Sequence, residues 1–332
     1  HSPQWFSAFR LPVAYNPTAT CPRWDAFLDE VLEGDRSRVD FMHEWFGYCL
    51  TPDTSIERFV VLVGEGQNGK GTVLHVLQSL LGDDNVSTVP LEDFHDKFSL
   101  ITTVGKLANI STDIGQIAAA AEGKIKGFVS GEPQTFRGLY DDAFSTRPTA
   151  RLVFSANNFP RFTDRSSGLW RRMTVIPFNL QIPDAQKDIE LKSKLVQELP
   201  GILNRALEGL ARLHTQRTFT EPLLARDALD EYRLSNNPAR EFLNEETSLS
   251  TTYAASRCDQ LYTLFRLWAL ERGYKPLDAG QFGKEVRRAY PTVTHARISY
   301  EGKRSRVYEH LNSSCALQGA YPTTEEDDPR IN

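Results

Sequence analysis

The chain has 332 residues, 38 basic and 43 acidic side chains, a formal net charge of −5 and 40% hydrophobic residues. That length exceeds one small domain and suggests two or three, at ~150 residues each. The mild acidity argues against wholesale coating of nucleic acid but leaves room for a local basic surface, and no apolar run approaches the ~20 residues of a membrane span. Cys21, Cys49, Cys258 and Cys315 stand far apart with no C-x-x-C pair, which favours neither a zinc site nor a disulfide framework and points to a reducing cytosol. There is no signal-peptide pattern. The first residue is His1 rather than Met, so the chain is expected to be a fragment or processed piece of a longer protein.

Residues 1–20 carry proline and aromatics without a period and read as an arm or a short strand pair. From Pro22 the pattern turns helical, with Trp24, Phe27, Leu28 and Val31 on one face and Gly34 as a stop. Val39 to Leu50 repeats it with Phe41, Met42, Trp45, Phe46 and Cys49, ending at Pro52. These helices form either a collar ahead of the next domain or a cover for its sheet.

An apolar strand, Phe59–Val63, then runs into Gly64-Glu65-Gly66-Gln67-Asn68-Gly69-Lys70-Gly71-Thr72, followed by the helical pattern Val73–Leu81. Strand, glycine loop and helix are the context a phosphate-binding loop requires. Glycines let backbone N–H groups turn inward around an anion, and the helix start adds its positive dipole end. Lys70 is placed to reach the outer phosphates of a nucleotide such as ATP. The residue after this lysine is normally Ser or Thr, whose hydroxyl binds Mg²⁺. Here it is Gly71. Either Thr72 takes the metal role, or water fills it.

Leu91 to Leu100 reads as a short helix with Phe94 and Phe98 inward, and Lys106–Ile110 as a buried strand ending at Ser111-Thr112-Asp113. An acid at such a strand end can hold Mg²⁺ and its attacking water, which makes Asp113 the metal-side acid; a helix cap is the alternative. Ile117 to Lys126 is helical. Residues 135–147 form a hairpin whose surroundings are basic through Lys124, Lys126, Arg137 and Arg147, with Tyr140 at its turn. These groups suit single-stranded DNA, cations for phosphates and a ring for a base, or simply a solvated surface. Strand Arg151–Ala156 ends in Asn157-Asn158-Phe159-Pro160, where Asn157 can position a water or make a turn. Arg171-Arg172 precedes the strand Met173–Phe178 and offers an arginine finger for a neighbouring subunit, or surface ion pairs.

In this order, the glycine loop, Asp113, Lys126 with Ser130-Gly131-Glu132, Phe154–Pro160, and Trp170-Arg171-Arg172 with Ile176-Pro177-Phe178 resemble the phage and plasmid primase–helicases, which are superfamily-three helicases of the AAA+ class. The resemblance covers about Pro22 to His310. It implies ATP hydrolysis with Mg²⁺, a homo-oligomeric ring (usually a hexamer), single-stranded DNA in the central channel and mostly 3′ to 5′ movement. By the same resemblance Lys70 and Thr72 bind phosphate and metal, Asp113 is the metal-side acid, Asn157 the sensor and Arg171 or Arg172 the finger. The 137–147 hairpin would face the channel. Gly71 and the lone acid Asp113 depart from the family pattern.

Asp184 to Thr215 is helical, Pro222 to Leu234 adds another helix, and Asn236-Asn237-Pro238 marks a boundary. Helices at Asp259–Glu271 and Ala279–Ala289, then strands at His295–Tyr300 and Arg304–His310, read as a winged helix for duplex DNA or for a protein contact. Its DNA candidates are Lys284, Arg287, Lys303 and Arg304. The acidic stretch after 312 reads as a disordered tail.

The expected fold is α/β: an arm and collar (1–52), an AAA+ core with trailing helices (53–236), a winged helix (237–312) and the tail (313–332). The expected function is a cytoplasmic ATP-dependent DNA helicase or translocase serving replication of a mobile element. Rivals are an ATP-switched origin-binding initiator, a DNA-binding scaffold and an anti-phage NTPase.

Overall fold

The computed structural model describes residues 8–112, 114, 119–138, 142–157, 167–235, 237–251, 254–274, 276–300, 303–314 and 316–317. The chain divides into two compact units, 1–230 and 231–332. The division precedes the boundary expected at 236–238 by a few residues, inside a helix.

The strands of the first unit are β1 (Phe59–Val63), β2 (Val86–Ser87), β3 (Ala108–Thr112), β4 (Gln134–Phe136), β5 (Phe144–Thr146), β6 (Arg151–Ala156) and β7 (Met173–Pro177). Its helices are α1 (Pro22–Val31), α2 (Arg36–Cys49), α3 (Lys70–Leu81), α4 (Lys97–Leu100), α5 (Ala119–Val129), α6 (Ser167–Trp170), α7 (Leu191–Val196), α8 (Leu199–Gln216) and α9 (Leu223–Ser235). Five strands form a parallel sheet in the order β2-β3-β6-β1-β7. β4 and β5 pair separately as the expected antiparallel hairpin.

A parallel sheet is covered on both faces, which is why β1 reads as an unbroken apolar run. Alternation sends Val60 and Leu62 into a core shared with Trp24, Trp45, Val73 and Ile202. The other face carries an aromatic chain: Phe59 on Phe154, Phe154 on Phe94 and Phe94 on Phe128, with centroids 6.5, 6.1 and 5.4 Å apart. Helices α1 and α2 thus cover the sheet. Residues 8–21 form no strand; this stretch is an arm, and Asn85 Nδ2 donates to its Arg10 carbonyl at 2.8 Å.

Caps and close approaches set the helical layer. Asp35 accepts from the N–H groups of Ser37 and Arg38 at 3.0 and 3.3 Å, starting α2 three residues before the expected Val39. The first N–H groups of α1, at Arg23 and Trp24, donate to the Glu198 carboxylate at 3.1 and 3.0 Å. The segment expected as one helix from Asp184 is broken. A turn at Asp184–Gln186 precedes α7, and α8 restarts with Pro200 in its first turn, where no donor is needed. Helices α2 and α8 touch backbone to backbone: a Cβ on Gly47 would lie 2.2 Å from the Ala206 oxygen, and one on Gly209 2.3 Å from the His43 oxygen. Beside this contact Glu44, 0% exposed, accepts from Arg212 Nε at 2.6 Å and from the Thr220 N–H and hydroxyl at 2.7 Å each.

The second unit carries α10 (Pro238–Glu246), β8 (Thr247–Leu249), β9 (Ala255–Arg257), α11 (Cys258–Glu271), α12 (Ala279–Ala289), β10 (Thr294–Tyr300), β11 (Lys303–Glu309), β12 (Leu311–Ser313) and β13 (Ala316–Leu317). Phe242, Phe265, Trp268 and Phe282 pack between the helices, with Phe265 and Phe282 stacked at 4.5 Å. The expected hairpin is present as β10–β11. β9 extends it along β11, and β13 pairs with β9, so ordered pairing reaches Leu317, past the position where a tail was expected to begin. Among the described residues no helix is long and apolar enough to cross a membrane, and Cys21, Cys49 and Cys258 form no disulfide.

Gly209→Ala should destabilise the first unit by about 1–3 kcal/mol through overpacking against α2, read as a lower urea midpoint at unchanged slope. His43 gives a second test. Its Nε2 accepts from Trp24 Nε1 at 3.3 Å, and burial pushes its pKa down to about 4. The unfolded chain binds this proton near pH 6.5 and the folded chain only near 4, so stability should fall as pH drops across that window, by up to about 3 kcal/mol. His43→Gln should flatten the dependence in urea titrations between pH 7 and 4.

Candidate functional site

The parallel register brings three strand ends to one edge of the sheet. Val63 of β1 lies level with Ala156 of β6, and Ser155 of β6 with Thr112 of β3. The next residues are therefore Gly64, Asn157 and Asp113. The Gly64 N–H donates to the Ala156 carbonyl at 3.3 Å, seating the exposed Asn157 beside the first loop glycine. Asp113 and Tyr140 lie outside the described residues, as does the side chain of Lys303. Strand β6 separates β3 from β1, so Thr112 at the end of β3 is two strands from the strand that carries the loop.

The loop folds as its composition dictates. Gly66 (φ 45°) and Gly69 (φ 88°) take left-handed backbone, which glycine adopts without cost, and Gln67 (φ 52°) takes it between them at the steric cost of its Cβ. A Cβ on Gly64 would sit 2.1 Å from the Phe178 oxygen, and one on Gly69 2.8 Å from Val31 Cγ1, because β7 and α1 press on the loop from two sides. The Ile182 N–H donates to the Gln67 carbonyl at 2.9 Å, and Gln181 reaches Glu65 at 3.5 Å. Lys70, 4% exposed, starts α3 and donates to the Gly64 carbonyl and to Asn68 Oδ1. The first turn of α3 and the backbone bends before it make a cradle for an anion.

Two cavities flank this turn. One, of about 700 Å³, is walled by Arg23 and Phe27 of α1, by Gln67, Gly69 and Thr72, and by Ile182 and Leu191. The other, of about 440 Å³, is lined by Gly71, His75, Ser111 and Thr112. One helical step thus turns Thr72 toward the first cavity and Gly71 toward the end of β3. Lys192 borders both cavities. His75 is held below its ordinary pKa, first by burial and then by the charge of Lys192. Arg23, Phe27 and Lys192 were not legible as site residues, since chain separation hides them. The one available signal was the apolar helix ahead of the loop.

The paired arginines separate. Arg172 is 8% exposed and donates to Ser130 Oγ and the Gly168 carbonyl, and it pairs with Glu57 at 2.6 Å. That side chain is held inside its own unit. Arg171 is exposed, and its carbonyl accepts from Arg58. Both stand before β7, at the amino edge of the sheet, where the Phe59 N–H donates to the Arg172 carbonyl. A five-residue strand puts them roughly 17 Å from their own loop.

Three comparisons with known proteins bear on this site. Residues 62–172 match the model of a family of unknown function, DUF5906. Over 160 residues the chain is 26% identical to "Putative helicase L207/L206" of Acanthamoeba polyphaga mimivirus, an alignment covering 44% of this chain and 16% of that protein. The apo A form of the NrS-1 C-terminal region superposes with a TM-score of 0.58 at 11% identity, over 90% of this chain and 77% of that one. A second apo structure of that region, residues 305–718 of NrS-1, gives 0.54 at 12% identity. At such identities the likeness concerns fold: a mixed α/β chain with a parallel central sheet.

Among the DNA candidates, Lys124 is exposed and Lys126 half-buried on α5. Arg137 is exposed beyond β4, and Arg147 donates to the Gly131 carbonyl at 2.7 Å. In the second unit, Lys284 and Arg287 share the exposed face of α12, with Arg288 beside them. Arg297 lies opposite Arg306, and Arg304 follows on the same sheet face. All three are exposed, while Ile298 and Val307 are buried on the other side.

Gly64→Ala should lower the melting temperature by several degrees, because the new methyl group meets the Phe178 carbonyl. Gly71→Ala meets nothing within 4 Å and should leave melting unchanged or slightly raised. A thermal scan of both variants checks the contrast.

Proposed function

We propose that the first unit binds and hydrolyses a nucleoside triphosphate, ATP in the first instance, and that the chain is a DNA helicase or translocase acting in replication. The observation that carries this reading is the register-aligned convergence of the glycine loop, Asn157 and the end of β3, with a cavity of nucleotide size walled on one side by the loop. The identity to a mimivirus protein carrying a helicase name supports the helicase class.

On this reading the loop N–H groups and Lys70 take the phosphates. The first cavity takes base and ribose, with Phe27, Ile182 and Leu191 as apolar walls. Thr72 faces that cavity, and Asn157 orients the attacking water. The donor set fits a cation that arrives with its triphosphate. Among the described residues no group of three or more acidic, His or Cys side chains is arranged to hold a metal ion by itself, and Mg²⁺ keeps several waters when phosphates supply its other ligands. Ser111 and Thr112, with Asp113 next in sequence, stand nearest to hold it through water on the open Gly71 side. Mg²⁺ supplies charge neutralisation at the outer phosphates.

Arg171 is the proposed finger, since Arg172 is already committed within its own unit. A finger at the far edge of the sheet acts on the nucleotide of another copy, which a ring of head-to-tail contacts would provide. An AAA+ assembly, commonly a hexamer, is the proposed form. Single-stranded DNA would meet Lys124, Lys126 and Arg137 near the hairpin. The basic face of the second unit, a proposed winged helix, would meet duplex phosphates through Arg297, Arg304 and Arg306.

Purified protein should turn over ATP with Mg²⁺, faster with single-stranded DNA, and should displace a strand from a forked duplex. Lys70→Ala should weaken triphosphate binding by about 100-fold, the scale of a lost charge-assisted contact, while leaving it measurable. Arg171→Ala should bind ATP normally, lose about 10³-fold in turnover, and regain part of it when mixed with Lys70→Ala subunits. Turnover without strand displacement would favour an origin initiator; unaltered behaviour of Lys70→Ala would favour a scaffold.

A further inference from the structure

For a loop that binds a triphosphate, as proposed above, we infer that Asn68 is a positioning residue for Lys70, working through its side-chain amide. Asn68 is 2% exposed, and both ends of its amide are used. Nδ2 donates to the Phe178 carbonyl at 3.0 Å, and Oδ1 accepts from Lys70 Nζ at 2.9 Å. The carbonyl admits only a donor and the ammonium only an acceptor, so one orientation of the amide satisfies both. An aspartate would set an oxygen against the carbonyl. A serine would reach neither partner.

The anchor beneath Asn68 is stiff. The Phe178 N–H donates to the Val63 carbonyl at 2.7 Å, which fixes the end of β7 against β1. One residue earlier, the Pro177 carbonyl accepts from the buried Arg38 at 2.8 Å. The Gly64 Cα lies against the same Phe178 carbonyl and the same amide, since a Cβ there would be 2.4 Å from Asn68 Nδ2. Sheet edge, amide and lysine therefore form one line of contacts. It holds the ammonium at the mouth of the cradle before any anion arrives and removes part of the entropy cost of fixing a long side chain on binding. An incoming phosphate exchanges the Oδ1 contact for its own oxygen, while the Nδ2 tether stays.

The test is a double-mutant cycle on the full chain, using a fluorescent triphosphate analogue with Mg²⁺. Asn68→Ala should weaken binding about tenfold, the scale of one hydrogen bond to a charged group. In the Lys70→Ala background the same change should cost almost nothing, because a residue that acts through the lysine has nothing left to act on. Asn68→Ser should match Asn68→Ala. Amine-specific labelling of nucleotide-free protein, read by mass spectrometry at Lys70, should rise several-fold in both variants. A loss that persists in full without the lysine, or unchanged labelling of Lys70, overturns the inference. Failure of the wild-type chain to bind the analogue would instead sink the nucleotide reading, and the labelling alone would then decide the role of Asn68.

Discussion

The structure depends on the parallel ladder that joins β3, β6, β1 and β7. Parallel pairing requires every strand to enter the sheet from the same side, so every carboxyl end arrives at the same edge. The register removes the remaining freedom: Val63 pairs with Ala156 on one side and Pro177 on the other, and Ser155 with Thr112. Loops that are distant in sequence have no choice but to meet there. A shift of one residue in any pair would exchange the side chains of the two covered faces and disrupt the packing on both. The apolar content of β1 and β6, buried on both faces, therefore fixes the geometry of the polar edge.

Buried polar groups then tie the helical layer to that edge. Arg38, 1% exposed, sends its guanidinium to the Pro177 and Leu32 carbonyls and to Asp35, so α2 is bonded directly to the last residue of β7. Glu44 does the same between α2 and the chain after α8. A charge taken out of water is costly unless its partners are in place, so such contacts penalise any arrangement other than the native one. Each of these groups works at long sequence separation. They specify how α1, α2 and α8 lie over the sheet, and with it the wall that α1 lends to the larger cavity.

This separation explains what was legible and what was not. β1, the glycine loop and α3 were readable because apolar run, φ-permissive residues and helical period are local signals, and the structure has them at Phe59–Val63 and Lys70–Leu81. The β4–β5 hairpin and the two helices of the second unit were readable for the same reason. The break before α8 leaves little trace in the sequence because Leu191, Leu195 and Leu199 keep a helical period across it, and Pro200 is its one local sign. Strands β8, β9, β12 and β13 are two or three residues long, too short to carry a period. The cap on α1 comes from Glu198, about 175 residues away, so no N-cap signal stands next to the helix. For Arg171 and Arg172, composition treats two adjacent arginines alike. Only the fold distinguishes them, because alternation at the start of β7 buries one among Ser130, Gly168 and Glu57 and leaves the other exposed.

The placement of that exposed arginine bears on assembly. A parallel strand has its two ends on opposite edges of the sheet, and Arg171 precedes β7 while the phosphate-type loop follows β1, the neighbouring strand. No rotamer of an arginine spans a strand's length, so within one copy Arg171 and the loop cannot share a ligand. Two copies related by a two-fold axis can set unlike edges together, each arginine on the other's loop, and the pair then closes on itself. A head-to-tail contact presents unlike edges, the arginine of one against the loop of the next. If hydrolysis in this chain needs the Arg171 guanidinium, the topology of the sheet requires that a second copy supply it, whether by a closed reciprocal pair or by a repeating head-to-tail contact.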